Sequence, residues 1–141
     1  MECYVVFVDH NIWRPWVPFL KKGYRHCLAL IPITPKQEGL LSGKGTLLVD
    51  SGIDVMAVVL YDMSVEKFIL ENVISETMEI KEVIKCRLVS SQEMQYSMEV
   101  LTCVTVVKRL LGRRWKLVQT PWQLRKKLIK SGIGKVYCEF K

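Results

Sequence analysis

Three runs near the start of the chain, CYVVFVD (3–9), YRHCLALIPI (24–33) and TLLVDSG (46–52), are dense in β-branched and aromatic residues and are bounded by turn-forming sequence. Runs of this length and composition read as strands, the first of them mostly buried and closed by a turn at Asp9-His10-Asn11. Between the second and third lies TPKQEGLLSGKG (34–45), rich in turn residues, so the simplest arrangement is an antiparallel hairpin. The stretch IDVMAVVL (53–60) is again β-like. SVEKFILENV (64–73) reads as a short helix capped by Ser64 or as a further strand, and ISETMEIKEVIKCRLV (74–89) alternates enough for a strand or two.

Two helices are signalled near the C-terminus. In LTCVTVVKRLLG (101–112), Val104, Val107, Leu110 and Leu111 recur at helical spacing, Thr102 is a capping residue, and Gly112 can end the helix in a left-handed conformation. This puts Cys103 at the helix N-terminus. Thr120-Pro121 then opens a second helix through WQLRKKLIKSG, with Trp122, Leu124, Leu128 and Ile129 as its apolar side. Before the strands of the hairpin, IWRPWVPFLKKG (12–23) carries Pro15 and Pro18, which forbid a long helix or central strand. Strands and helices together predict a single α+β domain over residues 1–141, an antiparallel sheet with packed helices, at a length able to bury a core without disulfides or metal.

A cysteine attacks as its thiolate, and a helix N-terminus with a neighbouring imidazole lowers its pKa. Cys103 is placed for the first. Of the two histidines, His10 lies in a turn, whereas His26 begins a strand and is the better base. An imidazole base needs its second nitrogen oriented by a polar side chain. In a hairpin centred on residue 38, Asp50 comes level with His26, although Asp50-Ser51-Gly52 also reads simply as a turn opener.

With His26 in YRHCLAL, Asp50 in LLVDSG and Cys103 in TCVTVVKRLLG, the chain resembles permuted papain-like proteins of the NlpC type, in which the histidine strand and its polar partner precede the cysteine helix. It is also similar, over roughly residues 16–128, to small phage-encoded proteins that share the stretches seen here as FLKKGYRHC, TCVTVVK and TPWQL. The resemblance implies a cysteine hydrolase or acyltransferase acting on an amide, ester or thioester, with a peptidoglycan peptide as one substrate. Cys103 would be nucleophile, His26 general base and acid, and Asp50 the orienting group, with a backbone amide near Cys103 holding the oxyanion. It also implies a phage origin, with the protein in the bacterial cytoplasm or the virion.

Charge supports a second reading. Residues 1–103 hold ten Lys/Arg against thirteen Asp/Glu, whereas 104–141 hold eleven against Glu139 alone, giving the net +7. Lys108-Arg109, Arg113, Arg114 and Lys116, and Arg125, Lys126 and Lys127 are interleaved with Trp115 and Trp122, a pattern able to grip phosphates and stack bases or to form ordinary solvated helix faces. A non-catalytic virion or DNA-ejection protein would use this surface on DNA, an anionic polymer or phage structural proteins, and Trp13 and Trp16 as further anchors. An inhibitor of a host factor is a third expectation, resting on small size and charge.

The five cysteines, at 3, 27, 86, 103 and 138, lack C-x-x-C spacing, so neither a disulfide framework nor a zinc knuckle is expected. Cys27, Cys86 and Cys138 read as small core residues. Phosphate-loop and dinucleotide fingerprints are missing, so no cofactor is expected. The segment MECYVVFVDH has no secretory pattern, and no apolar run suits a bilayer span.

Overall fold

The computed structural model describes residues 1–9, 17–34, 43–51, 56–76, 78–88 and 102–140. His10, Trp13 and Trp16 lie outside them. The expected strands form at β1 (Glu2–Val8), β2 (His26–Ile33), β3 (Gly45–Ser51) and β4 (Met56–Tyr61), and residues 80–87 supply one strand, β5 (Ile80–Arg87). A last strand, β6 (Gly134–Glu139), was not signalled by the sequence. All six join one antiparallel sheet in the order β4-β3-β2-β1-β5-β6.

The central strands β1 and β2 are largely apolar on both sides because helices cover both faces. Helix α1 (Val65–Ile74) resolves the ambiguity at residues 64–73 in favour of a helix, with Ser64 Oγ accepting from the Lys67 amide at 3.3 Å. It packs Val65, Phe68 and Ile69 against Val6, Leu28, Leu30 and Val83. Helices α2 (Cys103–Leu110) and α3 (Pro121–Lys130) cover the other face over Cys3, Val5, Phe7, Cys27, Ala29, Ile84 and Cys86. The result is an α/β/α sandwich. Pro32 lies inside β2 beyond Leu30, the last residue of that strand that pairs with β1, and is opposite Thr46 of β3.

Both C-terminal helices begin as their caps dictate. Thr102 and Thr105 exchange backbone-to-side-chain hydrogen bonds at 2.7 and 3.2 Å, and Thr120 and Gln123 do so at 3.1 and 3.3 Å. After α2, Gly112 has φ +63°. On α3, Leu124 and Leu128 are fully buried and Trp122 is half-buried, but Ile129 faces solvent, narrowing the expected apolar side.

Two of the expected surface cations turn inward, Lys108 completely and Arg125 in part. Lys108 is 1% exposed, and its ammonium donates to the carbonyls of Trp115 and Val118, both at 3.1 Å. It thereby satisfies the backbone of the loop between α2 and α3. Arg125 reaches down from α3 to Glu82 of β5, a carboxylate with no exposure, through Nε–Oε2 at 2.8 Å and Nη2–Oε1 at 2.9 Å. Tyr24 donates to the same carboxylate at 3.2 Å. At the opposite side of the sheet β4 is an outer strand, and Met56, Val58, Val59 and Leu60 are all exposed.

Candidate active site

The chain enters β2 through a clamped turn. Gly23, at φ +86°, donates its amide to the buried Asp9 carboxylate at 2.9 Å, and Arg25 pairs with the same carboxylate at 3.3 Å. A positive φ suits glycine, which carries no Cβ to clash. Because Asp9 directly follows β1 and Val8 pairs with His26, this clamp fixes where the histidine begins its strand.

The hairpin register differs slightly from expectation. Ala29 pairs with Val49 and Ile33 with Gly45, which centres the hairpin on residue 39, midway between 29 and 49, instead of 38. Continued by one residue, this register sets Asp50 opposite Leu28, leaving His26 on the diagonal. Long side chains bridge that separation. His26 Nε2 and Asp50 Oδ1 are 2.6 Å apart.

Cys103 joins them at the first turn of α2, half-buried, close enough to the His26 ring for each group to shift the other's ionisation. Alternation along β2 groups His26 with Leu28 and Leu30, on the α1 side of the sheet. As the first residue of the strand, however, His26 stands at the rim, where a ring can serve the opposite face too. The three residues singled out from the sequence are thus brought together.

A fourth residue completes the cluster. Cys27 is fully buried on the row that faces α2, in the cluster against which Cys103 packs. Sequence reading takes it as core filler. The available signal was its position: the residue after a strand-initial histidine necessarily faces the other way, here toward the helix carrying the cysteine.

The electrostatics divide the two thiols. Burial holds the Cys27 thiol well above its ordinary value, so it stays protonated and donates. Cys103 is held well below its ordinary value: the Cys27 hydrogen bond lowers it most, burial opposes, and the hydrogen bond and charge of His26 lower it further. For His26, burial opposes protonation, but hydrogen bonds to Asp50 and Cys103 and their charges outweigh it, moving the imidazole up to about 10. The favoured state at neutral pH is a Cys103 thiolate beside a His26 imidazolium.

Of the basic residues expected to meet an anionic partner, Arg114, Lys116, Lys126 and Lys127 are exposed and Arg113 is half-buried. Arg125 differs from them, since the Nε–Nη2 edge of its guanidinium is spent on Glu82. The ammonium of Lys126 lies 5.4 Å from the Trp122 ring centre, joined by Lys21 at 3.2 Å, and that of Lys127 lies 5.8 Å from Trp115. Among the described residues no group of three or more His, Cys, Asp or Glu is arranged to hold a metal ion, and no helix is long and apolar enough to cross a membrane. Comparison with protein-family models, curated proteins and solved structures returned no match.

Proposed function

We propose that the chain is a cysteine hydrolase or acyltransferase of the permuted papain-like kind, acting on an amide, ester or thioester. One observation carries the reading: the His26 ring is held between the Asp50 carboxylate, at 2.6 Å from Nε2, and a thiol at the N-terminus of α2. A base oriented by a carboxylate and set beside a thiol nucleophile is the arrangement acyl transfer needs.

In this reading the Cys103 thiolate attacks the carbonyl carbon, forming the C–S bond and moving the π pair onto oxygen. Collapse of that intermediate expels the amine, alcohol or thiol, which takes its proton from His26. Neutral His26 then removes a proton from water or an acceptor amine or alcohol as it attacks the thioester, and the thiolate returns. Asp50 keeps the ring in line and balances its charge. The positive end of α2 lies beside the attacking sulfur and favours the anion there.

The test is turnover of a panel of activated esters, thioesters and peptide amides, including peptidoglycan-type peptides, by the wild type and by Cys103→Ala. Turnover of at least one member that Cys103→Ala abolishes is expected. A panel untouched by the wild type, together with a Cys103 alkylated no faster than an ordinary thiol, would end the proposal.

The Lys–Trp clusters favour a second reading, that α3 and the preceding loop bind a polyanion, as a phage virion or DNA-ejection component would. Exposed cations beside half-buried indoles combine charge with a stacking surface. Binding of DNA oligonucleotides should weaken steeply with salt, and Lys126→Glu with Lys127→Glu should reduce affinity about 100-fold at low salt. Affinity indifferent to salt and to both substitutions would exclude it.

A further inference from the structure

We propose that Cys27 and Cys103 form a reversible disulfide when the protein meets a hydroperoxide, so that Cys27 is a resolving cysteine and the candidate active site carries its own oxidative off-switch. The inference rests on the thiolate reading of Cys103 given above and adds a role for a residue which that reading does not need as a reactant.

Position makes the case. Cys27 is the second residue of β2, on the row of the sheet that faces α2, and Cys103 is the first residue of α2, packed against the same apolar cluster. Cys27 belongs to the buried cluster against which Cys103 packs, and each thiol shifts the other's ionisation, so the two sulfurs are neighbours and must close to a bond of about 2.05 Å. Cys103 is half-buried, whereas Cys27 has no exposure at all. An oxidant therefore meets Cys103 first, and the product forms beside a thiol that nothing in solution can reach.

The chemistry balances with one named co-reactant. The Cys103 thiolate attacks the outer oxygen of the hydroperoxide, forming an S–O bond as the O–O bond breaks. The departing hydroxide or alkoxide takes a proton from His26 and leaves as water or alcohol. Cys103 is now a sulfenic acid, oxidised by two electrons. The Cys27 sulfur then attacks the Cys103 sulfur; the S–S bond forms, the S–O bond breaks, and hydroxide leaves with the Cys27 proton as a second water. A small dithiol reverses the step by two thiol–disulfide exchanges and is itself oxidised. While the bond exists there is no nucleophile at the end of α2.

The molecule contains its own comparison. Cys3 and Cys86 are directly opposite each other on β1 and β5, a second pair of neighbouring thiols. Both are buried, and burial pushes each up to about 12, so neither supplies a thiolate or meets an oxidant. Proximity alone would predict two disulfides. Proximity with a reachable thiolate predicts one.

The experiment treats the full chain with a few equivalents of hydrogen peroxide at neutral pH, blocks remaining thiols, and maps the peptides by mass spectrometry before and after dithiothreitol. The expected result is a Cys27–Cys103 cross-link lighter by two hydrogens, with Cys3 and Cys86 still alkylatable, and full recovery of Cys103 labelling on reduction. In Cys27→Ala, Cys103 should instead gain two oxygens as sulfinic acid, with about tenfold less labelling recovered by reduction. Because the wild type alone gives the cross-link, the test survives a Cys27→Ala variant that folds poorly. Sulfinic acid at Cys103 without any cross-link in the wild type would overturn the switch and leave the reactive thiolate standing. A Cys103 that neither oxidises nor alkylates quickly would overturn both.

Discussion

Replacing His26 with alanine should lower turnover of a responsive ester or amide by about 100- to 10,000-fold, the range that a positioned acid–base group contributes, and should also slow alkylation of Cys103 at pH 6. The second effect has a different size because it measures only the thiolate. A thiol at the ordinary value is ionised to about 1 part in 300 at pH 6, and its more basic thiolate is intrinsically about tenfold more reactive than a strongly acidified one. The net loss in alkylation is about 30-fold. Iodoacetamide rates across pH 5 to 11 separate the two. In the wild type, alkylation holds level down to low pH, since Cys103 is depressed, and it does not fall as pH rises through the His26 value of about 10. Turnover does fall there, because neutral His26 has no proton for the leaving group. Equal alkylation rates for wild type and His26→Ala at pH 6 would show that the imidazole does not activate the thiol.

The second large effect lies away from the site. Arg125→Ala should destabilise the fold by about 3–5 kcal/mol, measured by urea unfolding, because it leaves the Glu82 carboxylate buried with its countercharge gone. Glu82 has no exposure, and its remaining described partner is the Tyr24 hydroxyl at 3.2 Å. The loss reflects a stranded charge more than a strong bond, so adding Glu82→Leu to Arg125→Ala should recover most of it. A cost below about 1 kcal/mol for Arg125→Ala would mean that Glu82 is compensated by other means.

These two residues also mark where sequence stops being informative. The strands, the Thr102 and Thr120 caps and the Gly112 terminus were legible because each depends on residues within one helical turn or one alternating run. The meeting of His26 with Asp50 was legible through hairpin symmetry, and only the diagonal offset was not, since register is fixed by side-chain packing across the sheet. Arg125 and Lys108 read as surface charge because their partners are distant or irregular: a carboxylate 43 residues away for one, two loop carbonyls for the other. Strand β6 was hidden by its polar composition, GKVYCE, which suits an outer strand. Cys27 was discounted because a buried cysteine is usually inert, and nothing local reveals that another thiol will be set beside it.

The outer strand β4 bears on how the molecule behaves in a tube. Its six residues, MAVVLY, carry no charge, proline or bulge, and among the described residues it pairs only with β3. Such a rim is a growing end, where a second sheet can dock edge to edge without any new sequence. The net charge of +7 sets two copies against each other, but that repulsion fades over about 8 Å at physiological salt. Colloidal stability is therefore a contest between a basic C-terminal quarter and a naked strand at the other side of the sheet, and ionic strength decides which of them governs the encounter.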